Sequence, residues 1–234
     1  MNKEKRPAIF LDIDDTLLDF HKAEALALRK ALLDVDVEPA EETLRRYSAI
    51  NKSQWELLEE GLLTRQQVLI RRFELLFQEF GIDASPAETR DRYEAHLAVG
   101  HFFMPGAPEL LEELYGRCML YIVSNGTGSV QAGRIASAGI GRYFERVFIS
   151  EEIGFEKPSR EFFRCCFAQI SDFDPARAII VGDSLTSDVR GGRNAGIKTC
   201  WYNPGGKAPR PDILPDYSIR SLAELPPLLN DIFP

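Results

Sequence analysis

Nowhere in these 234 residues does an apolar run approach the length of a membrane span, so insertion across a bilayer is not expected. The start, from Met1 to Pro7, is polar and passes directly into an apolar stretch, without the pattern of a targeting segment. Cysteine is scarce: Cys118, Cys165, Cys166 and Cys200 include no Cys-x-x-Cys pair. That argues against a thiolate metal site or a disulfide framework and points to free thiols in a reducing cytoplasm. Basic residues are in deficit, with 28 Lys and Arg against 36 Asp and Glu and a net charge of -8. A nucleic-acid polymer needs a basic face to displace its counterions, so such a partner is not expected. A small anionic substrate remains compatible, because a site can be locally positive on an acidic protein. Internal repeats and low-complexity segments are absent too.

What is present, at 44% apolar and 27% charged residues, is the composition of a globular protein with a sizeable core. The chain is organised around the stretch from Ala8 to Leu18. Four apolar residues run into Asp12, Asp14 and Asp15, the profile of a buried parallel strand that opens on a polar site. Alternation along a strand sets Asp12 and Asp14 on one side, where two carboxylates repel unless a cation or a proton separates them. An Asp-rich turn after a core strand is the plainer reading of the same residues.

From Asp19 to about Gly100 the pattern is helical throughout. Helices are expected over 23–33, from Pro39 to about Glu60, over 64–80 and from Ser85-Pro86 to about Val99, with Gly61 and Gly81 as stops. Their aromatic stripes read as core. Met104 to Pro108 forms a rigid joint. Beyond it strands (120–124, 146–149, 178–181, 199–202) alternate with helices (129–138, 159–169, 186–195), followed by an edge strand at 217–219 and a last helix from Leu222. Repeated βα units imply a doubly wound parallel sheet. The domain division expected is an α/β core over 1–18 and 101–234, with a helical insert over 19–100.

Four clusters fall at expected strand ends. Asp12 and Asp14 form the first. Ser124-Asn125-Gly126 brings a hydroxyl and backbone N–H groups before a helix, an arrangement suited to an anion or to a plain helix cap. Lys157-Pro158 follows the third strand, and isolated lysines are usually solvated. Gly182-Asp183 with Asp188 surrounds the last turn, where acids also serve as helix starts.

In this order and spacing the four clusters resemble the motifs of the haloacid dehalogenase superfamily, over nearly the whole chain, and the insert resembles that family's α-helical cap. Asn51-Lys52 with Trp55, Arg72-Phe73, the run from Ile149 to Gly154, Ala195-Gly196 and Thr199-Cys200-Trp201 are similar to the bacterial pyrimidine 5'-nucleotidase branch. The resemblance implies a cytoplasmic Mg²⁺-dependent phosphomonoesterase, monomeric or homodimeric, that acts on a small phosphorylated metabolite. It implies Asp12 as nucleophile and Mg²⁺ held by Asp12, the carbonyl of Asp14 and Asp183. Asp14 would be the acid and base. Ser124, Asn125, Gly126 and Lys157 would bind the phosphate, and Asp188 would support Lys157 or a water beside the metal. Asp15 stands where many relatives have glycine and is expected to face solvent. Trp55 or Phe20 could stack on a base, although core packing suits Trp55 as well. The other readings are a phosphatase or phosphomutase on sugar phosphates or phosphoglycolate, a 2-haloacid dehalogenase, and a non-enzymatic receiver-like module. Asp14 and Asp183 argue against the dehalogenase, and the helical insert argues against the receiver.

Overall fold

The computed structural model describes residues 6–234, so the first five residues of the polar start lie outside the described residues. The chain forms two compact units: one takes the chain through Asp19, Phe103–Gly128 and Gly139–Pro234, the other Phe20–Phe102 and Ser129–Ala138.

Among the described residues the first unit is built on six parallel strands, β1 (Ala8–Leu11), β2 (Met119–Ser124), β3 (Arg146–Ile149), β4 (Ala178–Gly182), β5 (Lys198–Tyr202) and β6 (Tyr217–Ile219), in the order β3-β2-β1-β4-β5-β6. All of β1 is buried, as a strand covered on both faces requires, which explains its unbroken apolar run. Phe10 pairs in register with Tyr121 on one side and Ile180 on the other. Its ring stacks on Tyr121 at 5.1 Å and meets a buried layer of Phe148, Phe162, Phe163 and Cys166. The central place of β1 has a functional consequence. The residues that follow it emerge between the ends of β2 and β4, where an open α/β sheet places its ligands.

The insert begins at helix α1 (Phe20–Leu33) and continues through α2 (Glu41–Glu59), α3 (Arg65–Phe80) and α4 (Pro86–Val99). Thr64 and Gln67 cap α3 reciprocally, and Gly81 ends it at φ 63°, a left-handed conformation that suits glycine. Tyr47, Phe73 and Tyr93 form its aromatic centre, with ring centroids 5.1 to 5.6 Å apart. At its base in the first unit, Leu18 bridges Phe103 antiparallel and Met104 N donates to Leu17 O at 3.0 Å.

Helix α5 (Ala107–Leu114) follows directly, where the sequence suggested only a joint. In α6 (Gly128–Ala138) the part from Ser129 belongs with the helical insert, a departure from the division read off the sequence. Gly133 permits it, because a Cβ there would sit 2.7 Å from Ala98 O. Arg134 Nε and Ser137 Oγ then donate to the carbonyls of Gly100 and Val99 at 3.4 and 2.9 Å. The remaining helices are α7 (Ser150–Ile153), α8 (Arg160–Phe167), α9 (Arg190–Ala195) and α10 (Leu225–Ile232). All four cysteines are free thiols. No helix among the described residues is long and apolar enough to cross a membrane.

Candidate active site

Asp12 is the first residue past β1 and is held there by its N–H, which donates to Val181 O at 3.0 Å. Only 7% of it is exposed. A tight turn follows, in which Asp15 N donates to Leu18 O and Leu18 N to Ile13 O, both at 2.8 Å. Asp15 takes φ 54°, a conformation that glycine adopts at no cost and aspartate tolerates. It is half-buried, not solvent-facing as the sequence suggested, and its charge acts on Asp183. Asp14 is half-buried beside it.

The strongest geometric feature is the ammonium of Lys157, 1% exposed. It donates to Asp12 Oδ1 at 2.6 Å, Asp188 Oδ1 at 2.7 Å and the Val123 carbonyl at 2.9 Å. An ammonium has three donors, and all three have acceptors within the protein. Asn125 fixes the backbone of the same lysine from both sides: its Nδ2 donates to Lys157 O at 2.9 Å and its Oδ1 accepts from Lys157 N at 2.8 Å. Asn125 thus ties the end of β2 to the lysine loop through its side chain, a role the sequence did not suggest. Gly126 N donates to Ser124 Oγ at 3.0 Å, which orients the buried Ser124 hydroxyl to donate onward.

Past β4 the chain makes one wide turn, Leu185–Val189, where the sequence suggested the start of a regular helix. Asp188 N and Val189 N both donate to Ser184 O, and the turn folds Asp188 back so that its Oδ2 accepts from Ser184 N at 3.1 Å. Gly182 makes room for this: a Cβ there would lie 2.1 Å from Asp188 Oδ2. Gly182→Ala is therefore expected to push Asp188 off Lys157 and to lower kcat on an aryl phosphate by about 10²-fold, the usual cost of a misplacement near 1 Å. A kcat within twofold of the parent would show that Asp188 does not need this position.

Asp12, Asp183 and Asp188 each bring a carboxylate oxygen within 4.8 Å of the others. One lysine cannot balance three acids. Burial is the largest influence on Asp12 and pushes its carboxyl up to about 8; Lys157 opposes the rise, and Asp188 and Asp14 add to it. Burial likewise raises Asp183 well above the carboxylate range, reinforced by Asp12, Asp188 and Asp15. For Lys157, burial works against the charge, but the facing carboxylates of Asp12 and Asp188 outweigh it and hold the ammonium protonated. A pocket of oxygen donors short of positive charge fits a hard divalent cation such as Mg²⁺. Asp188 already spends both oxygens on Lys157 and Ser184, which leaves Asp12 and Asp183 as the better ligands. The structure thus gathers Asp12, Lys157, Asp183 and Asp188 at the strand ends, with Ser124 as the last residue of β2 and Asn125 and Gly126 on the loop that follows it.

A family model described as haloacid dehalogenase-like hydrolase matches residues 7–196. The chain belongs to this family. Among relatives of this hydrolase, YfnB of Bacillus subtilis is 41% identical, with 97% of each chain covered. The magnesium-bound crystal structure of YfnB superposes with a TM-score of 0.92 at 40% identity, over 97% of this chain and 99% of that one. The pyrimidine 5'-nucleotidase PynA of Streptococcus pneumoniae is 36% identical over 93% of this chain and 92% of its own length. The pyrimidine 5'-nucleotidase YjjG of Escherichia coli is 33% identical over 94% and 96%.

In the helical unit of this hydrolase, three of the residues singled out for their likeness to that nucleotidase branch, Asn51, Trp55 and Arg72, meet in one hydrogen-bonded network, while Lys52 is exposed beside Glu56. Asn51 Nδ2 donates to Glu24 at 2.7 Å, and Asn51 Oδ1 accepts from Trp55 Nε1 at 3.0 Å and from Arg72 at 2.9 Å. Trp55 is half-buried, with Arg65 5.6 Å from its ring centroid, and Phe20 packs on the core of the insert. Thr16 and Trp201 contact the backbone of Asp183; the likeness to the nucleotidase branch marks Trp201, but nothing in the sequence points to Asp183 as the partner of either residue.

Proposed function

We propose that this hydrolase is a Mg²⁺-dependent phosphomonoesterase that works through an aspartyl-phosphate on Asp12, with pyrimidine nucleoside and deoxynucleoside monophosphates as substrates. The observation that carries the reading is the buried lysine that holds Asp12 and Asp188 together beside Asp183. Asp12 Oδ attacks phosphorus in line as the P–O bond to the leaving alcohol breaks, and the Asp14 carboxyl protonates that oxygen. Water then attacks the acyl phosphate, Asp14 takes its proton back, and inorganic phosphate leaves as Asp12 is restored. Bound by Asp12, Asp183 and the Asp14 carbonyl, Mg²⁺ would supply the charge that removes repulsion between carboxylate and phosphate. Ser124 and the N–H of Asn125 hold the phosphate oxygens, and the N–H of Gly126, which donates to Ser124 Oγ, would join them only by releasing that bond. With its donors spent on the protein, Lys157 acts as a fixed charge that aims Asp12, and would touch phosphate only by releasing a partner.

The nucleotide assignment rests on the names of PynA and YjjG and on the Glu24–Asn51–Arg72–Trp55 network. A phosphatase screen across nucleoside monophosphates, sugar phosphates and phosphoglycolate tests it. The highest kcat/KM is expected on pyrimidine deoxynucleotides, with activity abolished by a chelator and restored by Mg²⁺. Preference for a sugar phosphate, or transfer of the phosphoryl group to a second hydroxyl, would replace the substrate assignment. Equal rates with and without the metal would overturn the mechanism.

A further inference from the structure

The ladder between β4 and β5 ends at the pair of Gly182 and Trp201, so the backbone of Asp183 has left the sheet and needs other partners. Two buried side chains supply them. Asp183 N donates to Thr16 Oγ1 at 3.1 Å, and Trp201 Nε1 donates to Asp183 O at 2.8 Å. Thr16 is 0% and Trp201 4% exposed. An indole has one donor, and a buried one must place it. Trp201 places it on the residue assigned to the metal, while its ring packs with Val189, Ile213 and Leu185.

We propose that Trp201 is a positioning residue for Asp183: its indole N–H takes the place of the missing ladder bond and fixes the direction in which the Asp183 carboxylate meets Mg²⁺. This rests on the assignment of Asp183 as a ligand. The contact links a strand of ordinary core composition to the metal centre through one hydrogen bond, and the ring packing alone does not require it. Phenylalanine at this position keeps most of the packing and removes only the N–H. The expected result for Trp201→Phe is a Mg²⁺ dissociation constant about tenfold higher by calorimetry, the loss of roughly one such hydrogen bond, with kcat at saturating Mg²⁺ near the parent value.

Ile213→Ala, which opens the same apolar cluster without touching the N–H, is expected to lower thermal stability and leave Mg²⁺ affinity unchanged. A second measurement needs no change at position 201. In Trp55→Phe protein only one tryptophan remains, and its indole ¹⁵N–¹H signal should shift on titration with Mg²⁺ alone. The proposal is overturned if Trp201→Phe binds Mg²⁺ as tightly as the parent, if Ile213→Ala weakens binding equally, or if the indole signal does not move at saturation. Asp183→Asn separates the two claims. Should it retain full Mg²⁺ affinity, the metal assignment fails; should it lose affinity while Trp201→Phe does not, only the role of Trp201 fails.

Discussion

Asp12→Asn should lose phosphatase activity by a factor on the order of 10⁴ or more, as removal of a nucleophile does elsewhere, and yet melt at a higher temperature than the parent when both are freed of metal. The second half follows from the electrostatics. An acid whose pKa is higher folded than unfolded weakens the fold as pH climbs between the two values, here from 3.8 to about 8. At neutral pH the native carboxyl therefore works against folding, and its uncharged isostere does not. Added Mg²⁺ should reverse the order, because binding to the native state raises the parent's stability by mass action and the variant lacks a ligand. Melting curves in chelator and in Mg²⁺, with activity on an aryl phosphate, check both halves. A variant that retains activity would refute Asp12 as nucleophile; one that melts lower in chelator would refute the charge deficit.

Lys157→Met should be costly in both respects. It leaves Asp12 and Asp188 facing each other with 7% and 1% exposure and no counter-charge. Removing one partner from a buried ion pair costs about 3–5 kcal/mol, which for a chain of this size is a fall in melting temperature on the order of 10 °C. Activity should drop with it, measured well below the new melting point, since Asp12 loses its aim. The double variant with Asp188→Asn removes one of the stranded charges and should regain part of the stability without regaining activity. If the single variant keeps its activity within tenfold, the lysine does not orient the nucleophile.

Where a single residue type does a job at a strand end, the sequence was legible. Acids after an apolar run, a serine loop before a helix and a lysine before a proline could each be read, and the structure brings all four clusters to the strand ends. Contacts made through the backbone could not be read. Val123 contributes only a carbonyl to Lys157, and Thr16 and Trp201 act on main-chain atoms of a residue remote in sequence. Helix α5 was hidden by its own start signal. Gly106 at φ 82° and Pro108 in the first turn begin a helix, yet the same residues punctuate loops. The turn at Leu185–Val189 has the apolar spacing of a helix, and its widening depends on where the Ser184 carbonyl and the Asp188 side chain find partners. The affinity of α6 for the insert depends on Gly133, whose small size shows its use only when Ala98 is beside it.

The pairing of Leu18 with Phe103, next to the bond from Met104 N to Leu17 O, closes the chain on either side of residues 20–102 into a short stem within the first unit. Its two ends depart as neighbouring strands of a hairpin do, so a few residues of flexible linker would suffice to join them. Loop-closure entropy grows only slowly with the length enclosed, so the stretch between the two strands of this stem can lengthen or shorten at little entropic cost to the sheet that carries it.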